Sequence, residues 1–158
     1  MIYKALTFIA VLLLLSPSSY ANEVEGLARV VDGDTLVIGK QRIRLHGIDA
    51  PEQKQLCRKK ENFDWACGQA ATQALKQKIA SQSVKCIGET YDRYKRLIAV
   101  CYLGKTDLNR WMVRNGLSVA YRRYSKDYIT EEKYAQNQKN GIWNSEFQMP
   151  WTWRKNNK

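Results

Sequence analysis

The chain is short of acid. Asp and Glu number 15 against 26 Lys and Arg, a formal charge of +11 over 158 residues. That balance excludes an acidic disordered chain, and the count of only 9 Gly excludes a collagen-like one. Only one long apolar run occurs, which excludes a membrane protein of several spans. No CxxC pair is present, which argues against a structural zinc site. Histidine is almost missing, His46 being the only one. No internal repeat, linker or low-complexity tract interrupts the chain, and its length suits one domain. What remains is a small, basic, globular domain, 11% aromatic, with 5 Trp, 9 Tyr and 4 Cys.

The apolar run opens the chain and is set apart from the fold. Lys4 gives a positive start, residues 5–15 are the apolar stretch, Ser16-Pro17-Ser18 breaks it, and Ser19-Tyr20-Ala21 is a small-x-small cleavage signal. This pattern predicts a secretory signal peptide over residues 1–21 and one domain over residues 22–158. The run is too short and wrongly flanked for a stable span, the other reading being an uncleaved N-terminal anchor. The expectation is an exported protein, periplasmic or secreted, with no stable membrane insertion after cleavage. Removing residues 1–21 takes away one Lys and no acid, leaving 25 basic and 15 acidic residues, still +10. Such a charge predicts polyanion binding that weakens steeply as salt rises.

Export also decides how Cys57, Cys67, Cys86 and Cys101 are read. Four thiols in an oxidising compartment favour two disulfides, and three connectivities are possible. Cys57–Cys67 and Cys86–Cys101 are preferred, because each closes a short local loop.

Strand-like segments come first. They cover residues 26–31, residues 35–38 after the tight Asp32-Gly33-Asp34 corner, and residues 41–48 after a Gly39-Lys40 turn. Alternation along the third puts Ile43 and Leu45 on one face and Arg42, Arg44 and His46 on the other. Two guanidiniums therefore project from one surface of a sheet. Phe63, Cys67, Ala71, Leu75 and Ile79, at four-residue spacing, predict a helix. Residues 84–87 and 97–103 form a hairpin with a polar loop, and Cys86 and Cys101 fall in its two arms. A second helix, capped by Thr106 or Asp107 and stopped by Gly116, carries Leu108, Trp111 and Met112. A brief strand at 117–121 and a third helix near 130–140, ended by Gly141, precede a tail rich in Trp and cations. The tail is read as packing and not as a second binding site. Five short strands with one inserted helix suit an α+β fold built on a small Greek-key barrel.

In so basic a chain, the clustering of Asp32, Asp34, Asp49 and Glu52 is informative. Asp34 opens one strand and Asp49 closes another, with Arg42 and Arg44 between them. Two carboxylates at adjacent strand ends can hold a hard divalent cation through oxygen. Either segment alone is ordinary turn chemistry; both together, flanking an arginine strand, point to a site. Tyr91-Asp92-Arg93-Tyr94-Lys95-Arg96 puts three cations and two phenols into one hairpin loop. A guanidinium grips phosphate oxygens in a fork, and a phenol ring stacks on a base. The bland reading is a solvated loop that serves only solubility or steering.

Three blocks carry a resemblance: Val31-Asp32-Gly33-Asp34-Thr35-Leu36, then Arg44-Leu45-His46-Gly47-Ile48-Asp49-Ala50-Pro51-Glu52, then Asp92-Arg93-Tyr94-Lys95-Arg96-Leu97. In order and approximate spacing they resemble the motifs of the staphylococcal nuclease (thermonuclease) family. Asn115-Gly116-Leu117 and Asn140-Gly141-Ile142-Trp143 are similar to its later landmarks, so the likeness runs over residues 26–143. The resemblance implies an OB-fold barrel of five strands with three helices. It implies a Ca²⁺-dependent phosphodiesterase acting on DNA and RNA as substrates, and a monomer is expected. By the same resemblance, Asp34 and Asp49 are metal carboxylates and Ala50 lends its carbonyl. Glu52 is the general base or water-positioning group, Arg44 and Arg96 contact the scissile phosphate, and Tyr94 and Tyr121 line the nucleotide pocket. The sequence departs from the family pattern at the short Gly39-Lys40 turn, at Ala50 for a common threonine, and at Lys95 for a usual glycine. The cysteine pairs are absent from the family's best-known member.

The chemistry agrees with these roles. A phosphodiester anion repels nucleophiles, and a cation with two guanidiniums neutralises it and stabilises a five-coordinate transition state. Water is a poor nucleophile, so a carboxylate must orient or deprotonate it. His46 is read as a structural or surface residue, since Glu52 already serves as base. Two further functions compete: a catalytically silent OB-fold module for single-stranded nucleic acid, and a cationic protein acting on envelopes. A silent binder need not keep Asp34, Asp49, Glu52, Arg44 and Arg96 together, and no strongly amphipathic basic helix supports the envelope reading.

Overall fold

Short apolar stretches separated by tight turns build this chain into a barrel with helices at its ends. The structure, a computed structural model, describes residues 21–157, so nearly all of the expected signal peptide lies outside the described residues. The elements are strands β1 (Asn22–Asp32), β2 (Thr35–Ile38), β3 (Gln41–Leu45), β4 (Ile48–Asp49), β5 (Cys57–Arg58) and β6 (Asp64–Trp65). Helix α1 (Cys67–Ile79) leads to β7 (Ser83–Tyr91), β8 (Leu97–Leu103) and β9 (Thr106–Asp107). Then come α2 (Leu108–Arg114), β10 (Val119–Ala120), α3 (Ile129–Asn137), a 3-10 turn (Gly141–Asn144) and α4 (Pro150–Asn156).

Five strands close the barrel. β1 lies between β2 and β7, β2 pairs β3, and β7 pairs β8, all antiparallel. β3 then pairs β8 in parallel, with Arg44 opposite Ile98. Closure leaves no long free edge, and it brings the start of β8 beside the arginine strand. Leu36, Ile43, Leu45, Val84 and Leu97 fill the interior with Leu75 and Ile79 of α1 and Met112 of α2. Each such side chain contributes about 1.5–3 kcal/mol on burial.

Cys86 faces Cys101 across β7 and β8 and is bonded to it, with Cα atoms 4.1 Å apart. Cys57 is bonded to Cys67. The second bridge sits in a satellite core with Val119 and Ile142, against which Trp65, Trp143, Phe147 and Met149 pack. That cluster turns the C-terminal segment back toward one end of the barrel. A backbone contact assists it: Ile142 N–H donates to the Gly116 carbonyl at 2.9 Å. Gly116 and Gly141 both adopt positive φ, +66° and +52°, and a Cβ on either would strike the other segment's backbone. The two Asn-Gly landmarks of the sequence are thus one close crossing of the chain.

Several boundaries differ from the sequence expectation. Among the described residues there are four α-helices, not three, because Pro150 occupies the first position of a helix and starts α4, where a tail was expected. Phe63 is 61% exposed and outside α1, since Asp64 and Trp65 pair with Arg58 and Cys57 instead of starting the helix. β1 begins at Asn22, extended by pairing with β7. β3 stops at Leu45, and Gly141 opens a 3-10 turn after α3 has already ended.

Candidate active site

Three corners of the chain meet at one mouth of the barrel. In the first, the Asp32 carboxylate accepts the Asp34 N–H at 3.0 Å and shapes the turn between β1 and β2. The second is the exit of β4, where Asp49 is held opposite Val119 of β10. The Ala50 N–H joins them, donating to Asp34 Oδ2 at 2.7 Å. Ala50 therefore touches the site through its amide. Asp34 and Asp49 are buried, at 3% and 0% exposure. Arg44 bridges them: its Nη2 donates to Asp49 Oδ1 at 2.7 Å, and its Nη1 pairs with Asp34 Oδ1. Burial pulls the Arg44 guanidinium below its ordinary pKa, against the opposing pull of Asp49. Burial likewise raises the Asp32 carboxyl.

The third corner is the β7–β8 hairpin. Asp92 organises it, accepting the N–H groups of Tyr94 and Arg96 at 2.9 and 3.0 Å and Arg96 Nε at 2.7 Å. Arg96 also reaches Thr35 Oγ1 at 3.3 Å. Since Thr35 faces Arg44 across β2 and β3, Arg44 and Arg96 share one neighbour. Burial works against the Asp92 charge, but the Arg96 backbone and side-chain bonds hold the carboxyl below its usual range. Tyr94 is 59% exposed, with Arg93 and Arg96 guanidiniums 4.7 and 5.5 Å from its ring centre. Lys95 takes a left-handed conformation, φ +61°, at the tip where the family pattern has glycine.

Glu52 is fixed through its backbone. Its N–H donates to Gln55 Oε1 at 3.2 Å, and its carbonyl accepts the Gln55 N–H at 2.7 Å. Gln55 is fully buried and donates onward to the Gln148 carbonyl at 2.6 Å. Gly68 of α1 packs so closely that a Cβ there would lie 1.7 Å from the Glu52 carbonyl oxygen. Tyr121 follows β10, its N–H bonded to the Gly47 carbonyl at 2.8 Å. The buried Glu132 of α3 holds that stretch through the Ala120 N–H at 3.0 Å and through Arg122. His46 lies at the rim and pairs with Asp127 at 3.1 Å.

The tail supplies two site residues that the sequence reading missed. Arg154 of α4 forks onto Asp49, Nη1 to Oδ1 at 2.9 Å and Nη2 to Oδ2 at 2.8 Å, and its Nη1 also donates to Glu52 Oε1 at 2.7 Å. Burial works against its charge, but the bonds to Asp49 and Glu52 hold the guanidinium above its ordinary pKa. Trp151 stacks on Tyr121, centroids 5.3 Å apart and planes 2° from parallel. One signal could have found them: Pro150 marks a helix start, and Trp151 and Arg154 stand three residues apart on one face.

The corners and α4 line one open groove of about 1680 Å³. Of the side chains expected to act on a phosphodiester, Asp34, Arg44, Glu52, Tyr94, Arg96 and Tyr121 border it. Asp49 lies beneath, bonded to Arg44 and Arg154. Among the described residues, no three His, Cys, Asp or Glu side chains are grouped to hold a metal ion. No helix among them is long and apolar enough to cross a membrane. The two disulfides suit an oxidising compartment.

A family model described as "Staphylococcal nuclease homologue" matches residues 42–145. A micrococcal nuclease of Shigella flexneri is 34% identical over 94% of this chain and 90% of its own length. The succinoglycan biosynthesis protein ExoI of Rhizobium meliloti (strain 1021) is 33% identical over 87% of this chain and 74% of its own. A thermonuclease of Staphylococcus hyicus is 31% identical, covering 80% of each.

Proposed function

The chain belongs to the staphylococcal nuclease family, and from that premise we propose that it is an exported, Ca²⁺-dependent phosphodiesterase hydrolysing DNA and RNA. The convergence of Arg44, Arg96, Asp34, Asp49 and Glu52 on one groove carries the reading. Export is supported by the disulfides and by the apolar start of the sequence.

The donor set fits a hard cation. Asp34 and Asp49 are buried carboxylates joined through the Ala50 amide, and each leans on guanidiniums for countercharge. These two carboxylates, with the Ala50 carbonyl, would hold Ca²⁺, an all-oxygen set. Bound there, the ion would supply charge against the phosphate and polarise it. The remaining chemistry belongs to the chain. Arg44 and Arg96 donate to the non-bridging phosphate oxygens, and their charge stabilises the five-coordinate transition state. Glu52 takes a proton from the attacking water. The water oxygen bonds to phosphorus, the ester P–O bond breaks, and the departing oxygen is protonated by solvent. Tyr94 offers its exposed ring to a base.

Glu52→Gln tests the assignment. It lowers DNA cleavage by roughly 10²-fold or more at saturating Ca²⁺ and leaves DNA binding largely intact, because a water-preparing group does not grip phosphate. Arg96→Ala lowers both. A Glu52→Gln protein that cuts DNA at the parent rate overturns the site and returns the silent-binder reading.

A further inference from the structure

Two features of one seven-residue helix point the same way. Arg154 takes both Asp49 oxygens and one Glu52 oxygen, all at 2.7–2.9 Å. Asp49 Oδ1 already accepts Arg44 Nη2, so in this arrangement the Asp49 carboxylate has an Arg donor on each oxygen. A divalent cation on the same carboxylate would meet the like charge of Arg154 and compete for the same lone pairs. One turn earlier, Trp151 covers a face of Tyr121 in a parallel stack, and that ring is the one expected to meet a base. The chain therefore places a guanidinium on the carboxylates assigned to a cation and an indole on the ring assigned to a nucleotide.

We infer that α4 is a built-in occupant of the active site, which metal ion and nucleic acid displace in order to bind. The inference rests on the nuclease reading of this groove. Arg154 serves, beside Arg44, as countercharge where Asp49 and Glu52 come together. Trp151 adds contact area on the nucleotide side. The attachment is built for release. Arg154 and Trp151 lie at the solvent edge, and the Met149 side chain does not cap the start of α4. The segment before it, by contrast, is anchored through Gln148 to the buried Gln55 and through Met149 to the satellite core. α4 can therefore leave without the Glu52 corner losing its support.

The test is direct Ca²⁺ binding, followed by calorimetry in the absence of nucleic acid, for the parent, Arg154→Ala, Arg154→Gln and a chain ended after Met149. Arg154→Gln keeps part of the stem and guards against a packing defect. Loss of the charged fork should tighten Ca²⁺ binding about tenfold or more in all three altered proteins. In the parent, added Ca²⁺ should speed amide hydrogen exchange across residues 150–157 and leave the barrel strands unchanged. Equal or weaker Ca²⁺ binding in the altered proteins overturns the inference, as does a parent whose α4 exchange ignores Ca²⁺ or a protein that binds no Ca²⁺ at all. Cleavage assays on the same proteins separate the two readings. Tighter Ca²⁺ binding without any DNA cleavage sinks the nuclease reading and keeps α4 as the occupant that a cation displaces; DNA cleavage with unaltered Ca²⁺ affinity does the reverse.

Discussion

Gly68→Ala adds one methyl group to a residue that does not line the groove, and it should disable the site. The new Cβ would lie 1.7 Å from the Glu52 carbonyl oxygen and 2.5 Å from its carbon. Carbon and oxygen settle no closer than about 3.3 Å, so α1 and the Glu52 corner must part by roughly 1.6 Å. α1 cannot supply that movement, because Ala71, Leu75 and Ile79 pin it to the barrel core. The corner yields instead, and Glu52 moves with it. A misplacement of about 1 Å costs on the order of 10²-fold in rate. Helix propensity favours Ala over Gly by about 1 kcal/mol, which offsets part of the strain, so the rate should suffer more than the stability. The assay is steady-state DNA cleavage at saturating Ca²⁺ beside urea unfolding. A Gly68→Ala protein that cleaves within threefold of the parent would refute the close-packing account of how Glu52 is held.

Three other perturbations read other parts of the molecule. Arg44→Ala leaves Asp34 and Asp49 buried with less countercharge, and it should cost about 3 kcal/mol in urea unfolding without Ca²⁺, the low end for a broken buried pair because Arg154 still serves Asp49; a loss too small to measure contradicts the bridge. Asp92 has its folded pKa held below the ordinary 3.8, so the stability it adds is present above that pH and is lost as pH falls through the lower folded value. Asp92→Asn should therefore flatten the acid limb of the stability–pH curve, and parallel limbs for both proteins would count against the role of Asp92 in the hairpin. Replacing both Cys86 and Cys101 by Ala opens a link between residues 15 apart and should lower stability by about 3 kcal/mol, read as a fall in Tm of order 10 °C.

Much of this molecule was legible because its signals are local. The Asp32-Gly33-Asp34 corner, the Asp92–Arg96 tip and the two disulfides each lie within a short stretch, where turn preference and loop length decide the outcome. Alternation along β3 put Arg44 on the site face without knowledge of any partner strand. The resemblance named the other residues proposed for the site, since its motifs are short runs in a set order. Periodicity failed where pairing overrode it: Phe63 keeps the helical spacing, yet Asp64 and Trp65 are drawn into a two-stranded ladder beside the Cys57–Cys67 bridge. What only the tertiary structure decided is the meeting of Arg154 with Asp49, 105 residues away, and with Glu52. Nothing in the spacing of those residues encodes that contact. It follows from the satellite core of Cys57, Cys67, Val119 and Ile142 and the packing of Met149 against it, which turn the tail back over the barrel mouth. A guanidinium brought there finds two carboxylates already held by the barrel. The attraction is general, but the place is set by packing.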